Sequence, residues 1–420
     1  MRVLFATYAE KSHFFSMVPL AWALRTAGHE VRVASQPALE SEVTGSGLTM
    51  VPVGRDHIVW DFLTRRPQHE EKINFEQVPP NDVGDLPEEQ ITWDHLVEGY
   101  RTIVPWFFRL VNEPMINDLT GFCRWWRPDL VVWEPFTYAG AIAAEACGAA
   151  HARLTWGLDF DGRLRELFVR LRDQVPGRED LQRDWISQWL ERLGVGFQER
   201  MVQGHFTIDQ LPESFRLPTG LDYLGMRYVP FNGSAVVPKW LRAPAERPRV
   251  ALTLGQRPMD LLAGYSVSVG DVLRSLGALD VEVVATIGAE QQRDLPELPD
   301  NVRVVEFVPL HDLLSTCSAV VHHGGFGTAA TATATGVPQV VIPQQFDASL
   351  TSARLADRGA ALVLDTEHTD GRQVRIMVDR LLSEEGFARQ ARNLRDEMKA
   401  MLSPNEIIPD IEKLVEHHQL

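Results

Sequence analysis

Val3-Leu4-Phe5-Ala6-Thr7 is a short apolar run; after a polar turn an apolar-rich stretch occupies 14–27, Gly28 closes it, and Glu30-Val31-Arg32-Val33-Ala34 follows. The first run suits a buried strand. The second is long enough for a helix, and Gly28 suits its C-cap, because glycine takes the left-handed conformation there without steric cost. Strand, helix and strand within residues 3–34 form a βαβ unit, and parallel strands require such a crossover, so the chain begins by building a parallel sheet. Further strands are expected over 48–53, 130–134 and 152–155, with an alanine-rich helix over 139–147 stopping at Gly148.

The same rhythm restarts after Arg249. Strands are expected over 250–254, 281–286, 302–308, 319–322, 339–342 and 361–364. Between the two sets lies Val229-Pro230-Phe231-Asn232-Gly233-Ser234, then Pro238, Pro244 and Pro248, a polar, proline-rich stretch that reads as a linker over 233–248. The expected organisation is an N-terminal domain over 1–232, a second domain over 249–395, and a helical segment over 396–420 that packs back on the first. The fold class is α/β, two doubly wound Rossmann-like domains facing across a cleft, with ligands bound at the carboxyl ends of the strands. Fold alone does not name a chemistry.

With 420 residues, two or three domains of about 150 residues are expected. Lys and Arg total 41 against 57 Asp and Glu, a net charge of −16, which repels phosphate backbones and anionic lipid and argues against nucleic-acid or membrane-surface partners. Three cysteines, Cys123, Cys147 and Cys317, are too few and too scattered for a disulfide framework or a zinc site and fit a reducing cytosol. The apolar start is broken by Glu10-Lys11-Ser12-His13 before a signal sequence can form, and no run of roughly 18 apolar residues exists to span a membrane. A cytoplasmic protein is expected.

The segment richest in chemistry is Val320-Val321-His322-His323-Gly324-Gly325-Phe326-Gly327-Thr328, running from a strand into a helix. Glycines let the backbone turn tightly and bring N–H groups to an anion, and the helix start adds partial positive charge. Thr328 offers a hydroxyl and His323 a ring N–H, so a diphosphate cradle without lysine or metal is one reading. A glycine-rich turn that binds nothing is the other. No Gly-Lys-Ser/Thr follows, which excludes a Walker loop, and the glycine spacing departs from the dinucleotide fingerprint. No His, Cys, Asp or Glu cluster has metal-ligand spacing.

His13 stands where the first strand gives way to its helix, at the edge of the sheet expected to bind ligand. An imidazole there can take a proton from a hydroxyl, since imidazole titrates near working pH. Glu134, at the corresponding end of another strand, can hold the ring in one tautomer or form a structural ion pair; His13 can equally be a packing residue. His322 is expected to play a supporting role, His29 a structural one, and His417 and His418 to be solvated. Trp93, Tyr100, Trp106, Phe107, Phe108, Trp156, Phe160, Phe168, Trp185 and Trp189 read first as core, and some as lining of an apolar pocket.

The run from His322 to Thr328, followed by Gly336-Val337-Pro338-Gln339 and Pro343-Gln344-Gln345-Phe346-Asp347, resembles the donor-binding signature of the two-domain GT-B glycosyltransferases. The stretches 13–24, 27–31, 126–135 and 226–233 are similar to antibiotic glycosyltransferases of actinomycetes, in the subgroup that attaches deoxysugars to macrolide and aromatic polyketide aglycones. The likeness covers nearly the whole chain, least clearly 55–94 and 161–199.

That resemblance implies an inverting, metal-independent transfer from a thymidine-diphosphate deoxysugar to a hydroxyl of an apolar polyketide aglycone, with no resident cofactor. The first domain would hold the acceptor and the second the nucleotide-sugar donor. It places diphosphate contacts at His323, Gly324, Gly325, Gly327 and Thr328, base contacts around Val308 and Pro309, and sugar hydroxyls on Asp347. The family usually follows that aspartate with glutamine, where this chain has Ala348; one donor fewer suits a sugar with fewer hydroxyls, since an unpaired buried polar group costs roughly 1–3 kcal/mol. It assigns His13 as base with an acidic partner, usually aspartate, at the place of Glu134. A haem-less, oxygenase-like activator protein and a homodimer are further expected partners. A nucleotide-sugar 2-epimerase of the same fold and a non-catalytic companion of another transferase are the competing readings.

Overall fold

The computed structural model of the chain describes residues 1–59, 83, 86–255, 268–343, 348–365 and 369–419. They divide into two compact units. The first holds the described residues up to Gly233 together with those from Met401 onward, and the second holds those from Ser234 to Ala400.

In the first unit a seven-stranded parallel sheet is built from β1 (Arg2–Ala6), β2 (Glu30–Ser35), β3 (Met50–Pro52), β4 (Leu130–Trp133), β5 (Ala150–Leu154), β6 (Phe206–Asp209) and β7 (Tyr223–Gly225), in the order 3-2-1-4-5-6-7. The expected βαβ start is present: α1 (Lys11–Thr26) carries the chain from β1 to β2. Its Phe14, Met17, Leu20 and Leu24 are buried with Val3 and Phe5 of β1, Val33 of β2 and Val132 of β4. The connections run one way from β1 and the other way from β4, so the sheet reverses between these two neighbours. A crevice opens at the carboxyl ends of strands at such a point. Ala6 pairs with Trp133, which leaves the residues that follow β1 and β4 level with one another.

α2 (Arg109–Trp126) packs against α3 (Tyr138–Glu145), which packs behind β4. The small side chains of α3 let it lie close to the sheet: a Cβ on Gly140 would fall 2.7 Å from Cβ of Trp133.

The second unit repeats the plan with six parallel strands, β8 (Arg249–Thr253), β9 (Glu282–Thr286), β10 (Val302–Val305), β11 (Ala319–His322), β12 (Gln339–Val341) and β13 (Ala361–Val363), ordered 10-9-8-11-12-13. Here the reversal lies between β8 and β11, and His322 pairs with Thr253 at its edge. One face of the sheet is covered by α4 (Val269–Gly277) and, further along the chain, Gly371–Ser383, whose Val272, Leu273, Val374 and Val378 meet Val250, Val283 and Val321. On the other face lies α5 (Phe326–Thr335), the threonine–alanine run. Its buried hydroxyls are satisfied inside the helix, as with Thr333 Oγ1 donating to the carbonyl of Ala329 at 2.9 Å.

The structure refines three boundaries. β10 stops at Val305 although the apolar pattern runs on to Val308. All of the segment expected as a linker except Gly233 lies within the second unit, where Val237, Trp240 and Leu241 pack on its core. The second unit continues to Ala400, and the last helix, α6 (Ile408–Gln419), belongs to the first, with Ile408, Ile411 and Val415 in its core. Among the described residues no helix is long and apolar enough to cross a membrane.

Candidate active site

In the first unit, the turn after β1 delivers His13 to the third position of α1, and Glu10 caps that helix by accepting the N–H of Ser12. Glu134 is the first residue beyond β4. The level ends of the two strands bring His13 Nδ1 to 3.0 Å from Glu134 Oε2, both side chains being buried. The same oxygen accepts the backbone N–H of Phe136 at 3.1 Å and the indole N–H of Trp156 at 2.9 Å, while Oε1 accepts the Thr137 hydroxyl. Burial alone would push the Glu134 carboxyl up, but the facing His13 and the donors on His13, Thr137 and Trp156 outweigh it and hold the group below the usual glutamate range.

A carboxylate only accepts, so Nδ1 of His13 carries the ring proton and Nε2 is left as the basic nitrogen. The ring is clamped as well as bonded. Trp156, from the turn after β5, stacks on it at 4.3 Å between centroids and 26° between planes, and Tyr8 meets it edge-on at 5.2 Å. Thr137 links these pieces, since its Oγ1 also accepts the N–H of Tyr8 at 2.9 Å. The arrangement is a fixed, oriented base, able to take a proton from a hydroxyl and to have its positive charge neutralised where it forms.

In the second unit, the turn from β11 into α5 is shaped by a chain of polar contacts. Thr333 Oγ1 meets Gln339 Nε2 at 3.2 Å, Gln339 Oε1 meets His322 Nε2 at 2.8 Å, and His322 Nδ1 accepts the N–H of Gly324 at 3.1 Å. Burial, and then the neighbouring His323, push His322 down to about 3, so it stays neutral, with its proton on Nε2. Gly324 takes φ +91°, and a Cβ there would fall 2.7 Å from Cβ of Ala348. A Cβ on Gly325 would fall 2.6 Å from Nε2 of His323, so the buried imidazole of His323 lies over this glycine. Gly325 caps α5, Gly327 and Thr328 stand in its first turn, and such a helix start favours an anion.

Residues 22–255 match the N-terminal domain of the erythromycin biosynthesis protein CIII-like family, and residues 270–414 match its C-terminal domain. The chain belongs to this family. It is 45% identical over 427 residues to the 10-deoxymethynolide desosaminyltransferase of Streptomyces venezuelae, covering 100% of this chain and 98% of that one. It is 43% identical over 428 residues to the aclacinomycin-T 2-deoxy-L-fucose transferase of Streptomyces galilaeus, covering 100% and 97%. Among solved structures it resembles the glycosyltransferase VinC in complex with DTDP, with a TM-score of 0.88, 39% identity, and coverage of 99% and 100%. The chain is therefore a glycosyltransferase of the GT-B class.

Within this glycosyltransferase the structure brings His13 to Glu134 and gathers His323, Gly324, Gly325, Gly327 and Thr328 in one turn. Val308 has its side chain buried in the core with Leu313 and Val320, so only its backbone is available to a ligand. Asp347 lies outside the described residues. Thr137 and the backbone of Phe136 had no sequence motif to mark them, and Trp156 was one of many aromatics. The signal that was there is position, because Trp156 lies two residues past the end of β5 as Glu134 lies one past the end of β4. Of the aromatic candidates, Phe107 and Trp156 join Phe136 beside His13, with ring centroids 5.2 Å apart in both the Phe107–Phe136 and Phe136–Trp156 pairs. Trp93 and Tyr100 instead pack on Phe168.

One trio of described residues, Glu145, His151 and His205, has ligand atoms within 4.8 Å of one another. Its hydrogen bonds are those of a structural strut. Trp133 donates its indole N–H to His151 Nδ1 at 3.2 Å, which puts the His151 proton on Nε2, facing Glu145 at 3.2 Å, and Arg200 Nη2 pairs with that carboxylate at 3.1 Å. A cation would have to displace the ring proton and sit beside a guanidinium. His418, expected to be solvated, rests on this strut with its ring 4.5 Å from that of His205, while His29 faces the Met1 amino group at 3.1 Å.

Proposed function

We propose that this chain transfers a deoxysugar from a thymidine-diphosphate donor to a hydroxyl of a polyketide aglycone, with inversion at the anomeric carbon. The observation that carries the reading is the buried His13–Glu134 contact with its basic Nε2. The named relatives, which transfer desosamine and 2-deoxyfucose, support the sugar class, and the DTDP complex of VinC supports the nucleotide. As the acceptor oxygen bonds to the anomeric carbon, its proton passes to Nε2 of His13 and the carbon–oxygen bond to the diphosphate breaks. Glu134 balances the imidazolium. The departing diphosphate, where negative charge grows, is met by the start of α5 and by His323.

Ala348 supports a hydroxyl-poor sugar, since it touches the Gly324 turn and carries no donor. The reaction as drawn calls on no metal or prosthetic group, so an excess of chelator leaves turnover unchanged; loss of activity that a divalent cation restores would contradict this. The reading extends to a cytoplasmic setting, to a haem-less oxygenase-like activator and to a second copy of the chain, the last two addressed by comparing turnover and mass in solution with and without added partner.

The test is mass spectrometry of the purified chain with thymidine-diphosphate deoxysugars and a panel of macrolide and anthracycline aglycones. His13→Ala should lower turnover by roughly 10²–10⁴-fold with thymidine-diphosphate affinity retained. Undiminished transfer by that variant would remove His13 from the chemistry, and thymidine-diphosphate glucose as the best donor would overturn the sugar class.

A further inference from the structure

We propose that Trp156 is a positioning residue for the His13–Glu134 pair, fixing the ring and the carboxylate with one indole. This rests on the reading of His13 as the base. The face of the indole stacks on the imidazole at 4.3 Å and 26°, and its edge donates to Glu134 Oε2 at 2.9 Å. These two contacts run in different directions from one rigid, largely buried plane. The imidazole cannot tilt without leaving the indole face, and the carboxylate cannot turn toward solvent without breaking the indole bond. Phe136 supports the plane from the side, its ring meeting Trp156 edge-to-face at 5.2 Å. The stack has a second effect, since a π face favours a cation over it and the ring becomes cationic only as the acceptor proton arrives. Trp156 thus acts where the barrier is highest and leaves the donor alone.

Trp156→Phe keeps a stacking ring and removes the N–H; Trp156→Leu removes both. We expect kcat to fall about tenfold in the first, one charge-assisted hydrogen bond being lost. In the second it should fall about a hundredfold, as for a base left misplaced. Thymidine-diphosphate affinity by calorimetry should be unchanged in both. The decisive measurement is a double-mutant cycle on kcat. If Trp156 acts through Glu134, Trp156→Phe costs much less in a Glu134→Ala background, which removes the acceptor, than in wild type.

Equal cost in both backgrounds, or wild-type kcat in folded Trp156→Leu with a normal melting temperature, would overturn the proposal. Failure of the underlying reading would look different, with His13→Ala itself retaining turnover.

Discussion

Replacing Glu134 by glutamine removes one charge and almost nothing else. With the amide oxygen in the place of Oε2, the three N–H donors from His13, Phe136 and Trp156 keep their acceptor. The amide nitrogen then faces Thr137, whose Oγ1 already accepts from Tyr8 and must now accept a second N–H, leaving its own proton without the carboxylate. That costs about 1 kcal/mol of stability, which in a domain of this size lowers the melting temperature by roughly 2–4 °C. The kinetic cost is larger. The neutral ring needs no counter-charge, but the imidazolium formed during transfer does, and the carboxylate stands 3.0 Å from its Nδ1. Unit charges about 4 Å apart in partly screened surroundings interact by about 4 kcal/mol, so kcat should fall by roughly 10²–10³-fold. Initial rates with saturating donor, beside calorimetric thymidine-diphosphate affinity, separate this from a binding defect. A folded Glu134→Gln enzyme within about threefold of wild-type kcat would refute the reasoning and leave Glu134 as a cap for the turn at 135–137.

Gly325→Ala would push a methyl into the His323 ring, 2.6 Å from Nε2, and should weaken thymidine-diphosphate binding tenfold or more in a calorimetric titration; unaltered affinity would count against the cradle. Acid should destabilise the fold ahead of ordinary carboxylate titration. His322 is pushed to about 3 by burial and His323, and His205 to about 4 by burial, His151 and His418, both from an ordinary 6.5. Between those limits the unfolded chain binds the extra protons, so stability falls as pH drops through 6.5 toward 4, by about 3 kcal/mol from His322 alone. Melting curves from pH 8 to pH 4 check it, and Gln339→Leu, which removes the partner of His322, should alter the slope. A melting temperature flat down to pH 4.5 would refute it.

Most of the fold was legible because a parallel sheet covered on both faces writes its strands as apolar runs and its crossovers as helices closed by glycine. Where the reading slipped, burial and pairing had parted company. Val308 is as buried as a strand residue yet lies beyond the last rung of β10, since hydrophobicity reports what is covered and not what is hydrogen-bonded in the ladder. The prolines at 238, 244 and 248 read as a polar linker, yet Trp240 and Leu241 between them are drawn onto the core of the second unit. Nothing local to His418 betrays that α6 returns to β5 and β6; its contact lies more than 200 residues away in sequence, against His205.

For the site, position at the carboxyl-end edge of the sheet was enough to nominate His13, at the start of α1, and Glu134, just past β4, but not to say what holds them. That depends on which strands adjoin. Only the order 1-4-5 sets the ends of β1, β4 and β5 side by side, and only then do His13, Glu134 and Trp156 converge. The convergence also settles what the glutamate can do. Four donors occupy its two oxygens, and with the histidine they hold it ionised against the cost of burial. A carboxylate so placed has no reason to take the ring's second proton, since doing so would strand those donors. On the proposed mechanism the pair is then a base with a fixed counter-charge, not a relay: the proton drawn from an acceptor hydroxyl stays on the imidazole through the transfer and departs from Nε2, the nitrogen by which it came.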